Sequence, residues 1–290
     1  MHKKFFFMAS LPYLNLGCGY HFDKRWVNLD FGSTGEGVIA HNLLSGIPFP
    51  EAHFEAVYHS HILEHFLKPD AEKFIAECYR VLKPGGIIRI AVPDLERSVR
   101  GYINCLENVL QNPDNEVFTA DYEWIMIELL DQCVRTKSGG EMLNFLLRQS
   151  LPNEEFVAER VGTKVILIRK NLLKNPHFSK NITAETTPKV SFLRRLRRRM
   201  AKIILGNEYR EDTEEKMRLA DFRTGGEVHQ WMYDRFSLPK LLKNYGFSNV
   251  NLQDAFTSSI PNFADFALDA ENGIIRKPDS LFIEGQKPSD

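Results

Sequence analysis

The chain has 290 residues, of which 43% are hydrophobic and 26% are charged, with a net charge of −1 at pH 7. This composition is typical of a soluble globular protein with one large domain or two small ones, and it argues against a basic surface for nucleic acid. The four cysteines form no Cys-x-x-Cys pair, so neither a zinc knuckle nor a disulfide framework is indicated.

The N-terminal stretch M-H-K-K-F-F-F-M-A-S-L resembles a signal peptide for a few residues. Its apolar part stops at Pro12 and leads directly into the first predicted strand, so cleavage would remove part of the fold. No run approaches the roughly 18 apolar residues of a membrane span. We therefore expect a soluble protein in the reducing cytoplasm.

Two short apolar runs flank a glycine turn in the segment Y-L-N-L-G-C-G-Y-H-F-D-K-R-W-V-N-L-D, residues 13–30. The first run breaks at Gly17-Cys18-Gly19, where the absence of Cβ atoms lets a ligand approach bare main chain. The second run ends on Asp30, whose carboxylate can accept two hydrogen bonds from a ribose diol. Together they predict half of a nucleoside-binding crevice at the carboxyl ends of parallel strands. Gly-x-Gly alone is a weak signal, typical also of a plain strand turn.

A dinucleotide fold fits this spacing poorly. Its fingerprint needs a third glycine three residues after the second and an acid about 20 residues further on. Here Phe22 holds the third position and Asp30 comes too early. A nucleoside without a pyrophosphate fits better.

Further strands and a helix are predicted along the next part of the chain. The short apolar runs at 37–44 and 55–60 predict a third and a fourth strand, the third ending at Asn42. Residues 70–82 carry apolar side chains at helical spacing. Residues 87–92 are apolar except for Arg89, as buried parallel strands tend to be.

The remaining sequence predicts a long helical insertion and then the end of the core. Several helical patterns lie within 96–226, including F-L-R-R-L-R-R-R-M-A-K-I-I-L at 192–205. This basic amphipathic helix can lie on an anionic membrane. It can equally pack on its own domain with arginine stems over apolar surface, which we favour. A helix at 237–245 ends before Gly246, and two strands at 250–252 and 281–283 follow.

Five of these features, in this order, resemble the class I S-adenosylmethionine-dependent methyltransferases, and most closely small bacterial members associated with polysaccharide or natural-product gene clusters. The features are Gly17-Cys18-Gly19, Asp30, the loop I-P-F-P-E-A-H-F-E-A-V-Y, the segment H-I-L-E-H and the run F-I-A-E-C-Y-R-V-L-K-P-G-G. The resemblance covers 14–95 and resumes at 227–285. It implies an α/β, Rossmann-like sheet that is mostly parallel, with an antiparallel final strand.

The resemblance also implies a division of the chain. Residues 1–95 would form the cofactor-binding half of the core, 96–226 a helical cap over the substrate, and 227–290 the C-terminal part of the core. We refer to residues 96–226 as the cap.

The cofactor implied by the resemblance is S-adenosylmethionine. Asn15 stands where the family often has an acid near the methionine ammonium, and its amide oxygen can still accept a hydrogen bond. Asn42 replaces the aspartate common at the end of the third strand, where the adenine amine is read. Ser60 and His61 would lie beside the sulfonium. The full implied set is Asn15, Gly17, Cys18, Gly19, Asp30, Asn42, Leu43, Ser60 and His61.

The implied reaction is in-line transfer of the sulfonium methyl group to a nucleophile on a small molecule or a glycan, with oxygen favoured. Proximity and alignment would supply most of the catalysis. A hydroxyl acceptor would also need a general base with a pKa near neutral. The candidates are His229, His61 and Asp94, with His229 first because it returns from the cap at the crevice side.

Two other classes of function stay open. One is a subunit that binds the cofactor without turnover and activates a partner. The other is a membrane-associated enzyme that acts on lipid-linked sugars, which only the basic helix suggests. No nucleic acid partner is expected, and the chain would be a monomer or a homodimer.

The segment His61-Ile62-Leu63-Glu64-His65 also matches the H-x-x-E-H pattern of inverted zinc proteases. Zinc would need both histidines on one helical face and a third ligand downstream. The segment follows a buried strand in a methyltransferase-like order, so we expect no metal here. We expect Glu64 and His65 to make local hydrogen bonds instead.

The loops 20–25 and 32–37 have six residues each, fewer than the dozen that a helical crossover needs. One face of the sheet near the first three strands should therefore be thinly covered. We expect the cap and the N-terminal segment 5–8 to cover it, or else a second copy of the chain. The side chains at stake are those of Leu14, Leu16, Val27 and Leu29.

Overall fold

The computed structural model describes residues 11–174 and 207–289. The N-terminal segment 5–8 and the basic helix predicted at 192–205 lie outside these residues. The described chain divides into two compact units. The first takes its residues from Met1–Asn104, Glu155–Lys164 and Gln230–Asp290, and the second from Cys105–Glu154 and Val165–His229.

A seven-stranded sheet forms the centre of the first unit. Its strands are β1 (Tyr13–Leu16), β2 (Val27–Asp30), β3 (Val38–Ala40), β4 (Phe54–Ser60), β5 (Leu82–Pro93), β6 (Ser248–Gln253) and β9 (Ser280–Gln286). Their order in the sheet is β3-β2-β1-β4-β5-β9-β6. The first five pair in parallel, whereas β9 is antiparallel to both of its neighbours. The predicted α/β fold, mostly parallel with an antiparallel final strand, is confirmed.

The helices and one small hairpin complete the described chain. The helices are α1 (Lys68–Val81), α2 (Leu95–Gln111), α3 (Glu116–Val134), α4 (Gly140–Leu146), α5 (Glu154–Val161), α6 (Thr163–Lys174), α7 (Asn207–Arg223) and α8 (Ser237–Asn244). The hairpin pairs β7 (Ala270–Glu271) with β8 (Ile274–Ile275). Among the described residues, no helix combines the length and the apolar character needed to cross a membrane.

The third strand is shorter than the sequence predicts. It ends at Ala40, and a short 3-10 helix, Leu43–Ser45, occupies the rest of the apolar run. Asn42 caps this helix, since its Oδ1 accepts a hydrogen bond from the backbone N–H of Leu44 at 3.1 Å. An asparagine side chain offers the backbone this alternative to a strand ladder. The chain after Ala40 therefore turns into this short helix instead of continuing the strand.

One face of the sheet carries the main apolar core. Leu14, Leu16, Val27 and Leu29 are all fully buried there. They share a cluster with side chains of α1 and α8, such as Phe74 of α1. The four residues expected to need cover are therefore buried by the ordinary core helices of the first unit.

The opposite face is covered by the chain that connects β6 to β9. We call residues 254–279 the cover segment. Its Phe263 and Phe266 pack with Trp26 and Tyr58 from the sheet, and the rings of Trp26 and Phe266 meet edge to face at 5.3 Å. On this face, the described residues that pack against the sheet belong to the cover segment, which the sequence analysis did not identify. The cover expected from the cap and the N-terminal segment stays a prediction. A long connection between the last two strands crosses the sheet where crossover helices are missing.

Arg89 of β5 binds the cover segment to the sheet. Its side chain is fully buried, and its Nε donates to Asp269 Oδ2 at 2.7 Å. One Nη1 bond runs to Glu284 Oε1 of β9 at 2.8 Å. Tyr58 of β4 donates to the other oxygen of Asp269 at 2.6 Å. A buried cation is thus matched by two buried carboxylates, as burial of charge requires.

The same guanidinium also satisfies backbone groups of the cover segment. Arg89 Nη2 donates to the carbonyl of Asp254 at 2.7 Å, and Nη1 donates to that of Thr257 at 2.8 Å. Arginine presents five donors in a rigid fork, so one side chain can serve four acceptors. Arg89, the one polar residue in the apolar run at 87–92, therefore holds the cover segment on this face of the sheet.

We predict that Arg89→Met destabilises the protein by roughly 3–5 kcal/mol, because Asp269 and Glu284 stay buried without their cation. Urea unfolding followed by circular dichroism measures the loss. Arg100→Met is the matched control, since Arg100 is exposed and pairs with Glu96 one helical turn away. That surface pair is worth only about 0.3–0.5 kcal/mol. Equal loss in the two variants would contradict the anchoring role of Arg89.

Candidate functional site

A cavity of about 300 Å³ opens in the first unit where the sheet order reverses between β1 and β4. Ligands of open α/β sheets bind at the carboxyl ends of the strands beside such a switch point. Three parts of the chain line the cavity: the loop after β1, the end of β4, and the cover segment. Each contributes a different kind of chemical group.

The loop after β1 needs its two glycines for two different reasons. Gly17 and Gly19 both have a left-handed backbone, with φ of +64° and +57°. A Cβ at Gly17 would clash with the side chain of Ile62, so packing as well as backbone conformation favours glycine here. A Cβ at Gly19 would meet no atom within 4 Å. Gly19 therefore presents bare backbone to open space beside the cavity.

Asp30 holds this loop in place. The backbone N–H of Gly19 donates to Asp30 Oδ2 at 2.8 Å, and that of Cys18 donates to the carbonyl of Leu29 at 3.1 Å. The other carboxylate oxygen of Asp30 receives only a long contact of 3.4 Å from Gly32 N. Asp30 does not line the cavity itself. Its role toward a ribose stays a prediction, and the carboxylate has one oxygen left for it.

The orientation of the Asn15 amide follows from a chain of hydrogen bonds. Asn28 Nδ2 donates to the carbonyls of Asp23 and Trp26, both at 2.8 Å. Asn28 Oδ1 must then accept, and it does so from Asn15 Nδ2 at 3.0 Å. This network leaves Asn15 Oδ1 as the amide atom that can accept from a ligand. Asn15 is buried and lines the cavity.

Cys18 also lines the cavity. Burial, and secondarily the charge of Asp30, raises the pKa of the Cys18 thiol to about 12. The thiolate is the form that attacks electrophiles or binds metals. A neutral Cys18 therefore contributes its backbone and its shape to the loop.

Ser60 and His61 lie at the end of β4, on the opposite wall. His61 has a positive φ of 56°, an uncommon conformation for a residue with a side chain. Its Nε2 lies 2.8 Å from Ser280 Oγ, at the start of β9. Its Nδ1 lies 3.5 Å from Glu64 Oε1. Contacts on both ring nitrogens fix the imidazole at the edge of the cavity.

Glu64 is fully buried, and neither carboxylate oxygen has a hydrogen-bond partner in the described chain. The imidazoles of His61 and His65 come no closer to its carboxylate than 3.5 and 3.9 Å. Its backbone carbonyl, in contrast, accepts from Gln230 N at 2.7 Å. His61 precedes the short 3-10 helix Leu63–His65, so the two histidines do not share an α-helical face.

The other predicted residues lie away from the cavity lining. Asn42 is exposed, and Leu43 packs at the edge of the apolar core. Asp94 Oδ1 accepts from Arg97 N at 3.1 Å, in the first turn of α2. His229 is the last residue of the second unit, where it is buried and its backbone N–H donates to the carbonyl of Gln132 at 2.9 Å. The roles given to these four residues stay predictions.

The cover segment adds residues that the sequence analysis did not identify. Arg276 and Lys277 line the cavity together with Leu268, and Tyr58 reaches it from β4. A signal for the basic pair was present. The last strand was expected to be antiparallel, so the residues just before it must lie at the carboxyl ends of the parallel strands.

We predict that Glu64 makes the protein less stable as the pH rises. Burial raises the pKa of its carboxyl from 4.5 to about 8. The folded state thus holds a proton that the unfolded state releases, so stability falls between about pH 4.5 and 8. Glu64→Gln should remove a few kcal/mol of this pH dependence, measured by urea unfolding at several pH values.

Glu55→Gln is the control for this measurement, because Glu55 is exposed and pairs with Lys83 at the surface. It should leave the slope of stability against pH unchanged. An unchanged slope in Glu64→Gln as well would show that Glu64 is ionised in the folded protein.

Comparison with known proteins agrees with the geometry of the first unit. Residues 14–90 match the family model described as a methyltransferase domain. A probable S-adenosylmethionine-dependent methyltransferase of Mycolicibacterium smegmatis is 36% identical over 56 residues, which are 19% of this chain and 21% of that protein. The matched stretch thus spans about a fifth of the relative's length.

Solved structures give only distant likenesses. A possible histamine N-methyltransferase of Thermotoga maritima aligns over 99% of this chain and 90% of its own, at 11% identity and a TM-score of 0.36. A SAM-dependent methyltransferase of Archaeoglobus fulgidus aligns over 99% and 92%, at 11% identity and a TM-score of 0.37. The fold therefore rests on the strand order described above. Residues 14–90, less than half of the chain, are thus similar to a methyltransferase domain.

Proposed function

We propose that this chain is an S-adenosylmethionine-dependent methyltransferase that methylates an oxygen of a small molecule or a glycan. The observation that carries the proposal is the cavity beside Gly17–Gly19, at the switch point of a sheet with this strand order. The family match over 14–90 supports the reaction class. The preference for oxygen and for these acceptors comes from the resemblance in the sequence.

The residues around the cavity fit this cofactor. Gly19 offers backbone with open space in front of it. Asn15 offers an amide oxygen where an ammonium needs an acceptor. Asp30 keeps one carboxylate oxygen without a short hydrogen bond, which a ribose hydroxyl can use. When bound, the cofactor supplies a methyl group on a positively charged sulfur, already activated for transfer.

The protein's own contribution is mainly to place and orient the two reactants. Bringing a nucleophile into line with the methyl group replaces an encounter in solution, and such alignment can account for about 7–11 kcal/mol of a barrier. The strained backbone of His61 and its contact with Ser280 hold the end of β4 in one position. The Asp30 contact does the same for the glycine loop.

A hydroxyl acceptor also has to lose a proton, and His61 has the best geometric support as the base. It is the one candidate among His61, Asp94 and His229 that lines the cavity. Glu64 lies 3.5 Å from His61 Nδ1 and can stabilise the imidazolium when the carboxylate is ionised. His229 stays a candidate on the strength of its place in the sequence.

We expect S-adenosylhomocysteine to bind, and Asp30→Ala to weaken its binding by about 1–3 kcal/mol, the loss expected for hydrogen bonds to a charged group. Isothermal titration calorimetry measures both. Asp70→Ala serves as the control, since Asp70 pairs with Lys73 at the surface. No detectable binding to the unchanged protein would refute the proposed function.

Turnover should separate the candidate bases. With labelled cofactor, a panel of sugars, lipid-linked glycans and small metabolites identifies an acceptor. For a hydroxyl acceptor, His61→Ala should lower turnover at saturating cofactor on the order of 10²-fold or more. The same loss in His229→Ala, with full activity in His61→Ala, would move the role to His229.

A further inference from the structure

We infer that Lys277, aided by Arg276, binds the carboxylate at the amino-acid end of the cofactor, opposite the Asn15 amide oxygen. The cover segment would then be part of the cofactor site as well as a cover for the sheet. The inference rests on the proposed function, and it assigns a binding role to residues outside the matched range 14–90.

The charged residues that line the cavity are basic. Arg276 and Lys277 both line it. No aspartate or glutamate is among its lining residues. The carboxylates with the largest electrostatic effect on Lys277 are those of Glu64 and Asp279, and neither residue is among the lining residues. A cavity with this lining attracts an anionic group.

The basic pair is held in place by the cover segment itself. Arg276 Nη1 donates to the carbonyl of Leu268 at 2.8 Å, and its backbone N–H donates to that of Asp269 at 2.9 Å. Asp269 is in turn bound by Arg89. Lys277 Nζ reaches to within 3.5 Å of Ser60 Oγ, at the end of β4. The ammonium therefore projects toward the strand ends.

Burial makes a further negative partner favourable for Lys277. Removal from water lowers the pKa of its ammonium, Glu64 and Asp279 partly oppose this, and the positive charge of Arg276 lowers the pKa further. A carboxylate placed in the cavity would offset both effects. Arg276 Nε is also buried and makes no hydrogen bond in the described chain, so the pair has donor capacity left over.

Asn15 identifies the rest of the ligand. Its Oδ1 is an acceptor, which repels a simple anion such as phosphate and suits an ammonium. A cationic pair and an amide acceptor around one cavity of about 300 Å³ together match an α-amino acid, which carries both charges. The sulfonium, being positive, would lie away from Lys277. Ser60 would then be nearer the amino-acid end than the sequence resemblance implies.

The experiment compares two probes that differ in this end alone. S-adenosylhomocysteine carries the amino acid, whereas 5′-methylthioadenosine has a methyl group in its place. We expect Lys277→Gln to weaken S-adenosylhomocysteine about tenfold to a hundredfold, as for a lost hydrogen bond between charged groups. Binding of 5′-methylthioadenosine should stay unchanged. Lys277→Arg should restore most of the affinity for S-adenosylhomocysteine.

Lys243→Gln is the matched control, because Lys243 is exposed near the end of α8. It should change neither affinity. Equal weakening of both probes in Lys277→Gln would mean that Lys277 supports the fold, and no weakening of either would place the carboxylate elsewhere. Both results overturn the inference. Failure of the unchanged protein to bind either probe would instead refute the proposed function.

Discussion

The ion pairs of Arg89 with Asp269 and Glu284 are the interaction on which the rest of the first unit depends. A charge buried this completely is tolerated only with partners, and here the partners come from two later parts of the chain. These contacts hold the cover segment against the sheet face that has no crossover helices. The Trp26 cluster is buried beneath this segment, so the hydrophobic effect and the ion pairs both stabilise the cover.

The same constraint shapes the site. Because Asp269 is held by Arg89 and Tyr58, the chain that follows it delivers Arg276 and Lys277 to the carboxyl ends of β1 and β4. The antiparallel strand β9 starts at this end of the sheet, so its first residue can meet His61. Structural cover and site chemistry thus come from one segment.

On the other wall of the cavity, each predicted binding residue is held in place by a second residue. Asp30 fixes the position of Gly19, and Asn28 fixes the orientation of Asn15. These contacts are made between residues of the chain itself, and fixing side chains in this way lowers the ordering that binding requires. Preorganisation of this kind improves affinity without adding contact area.

The sequence by itself determined the sheet and half of the site. Apolar runs, glycine positions and family order placed the seven strands, the loop at Gly17–Gly19 and the end of β4, because these features depend on neighbours in the chain. It failed at Asn42, where a local cap ended the third strand early. It also missed the cover segment, since nothing local says that Arg89 will meet Asp269, 180 positions away. That contact depends on the assembled sheet and on the segment that covers its open face. Only the tertiary structure therefore shows it. Tertiary structure likewise decided that a basic pair faces the cavity.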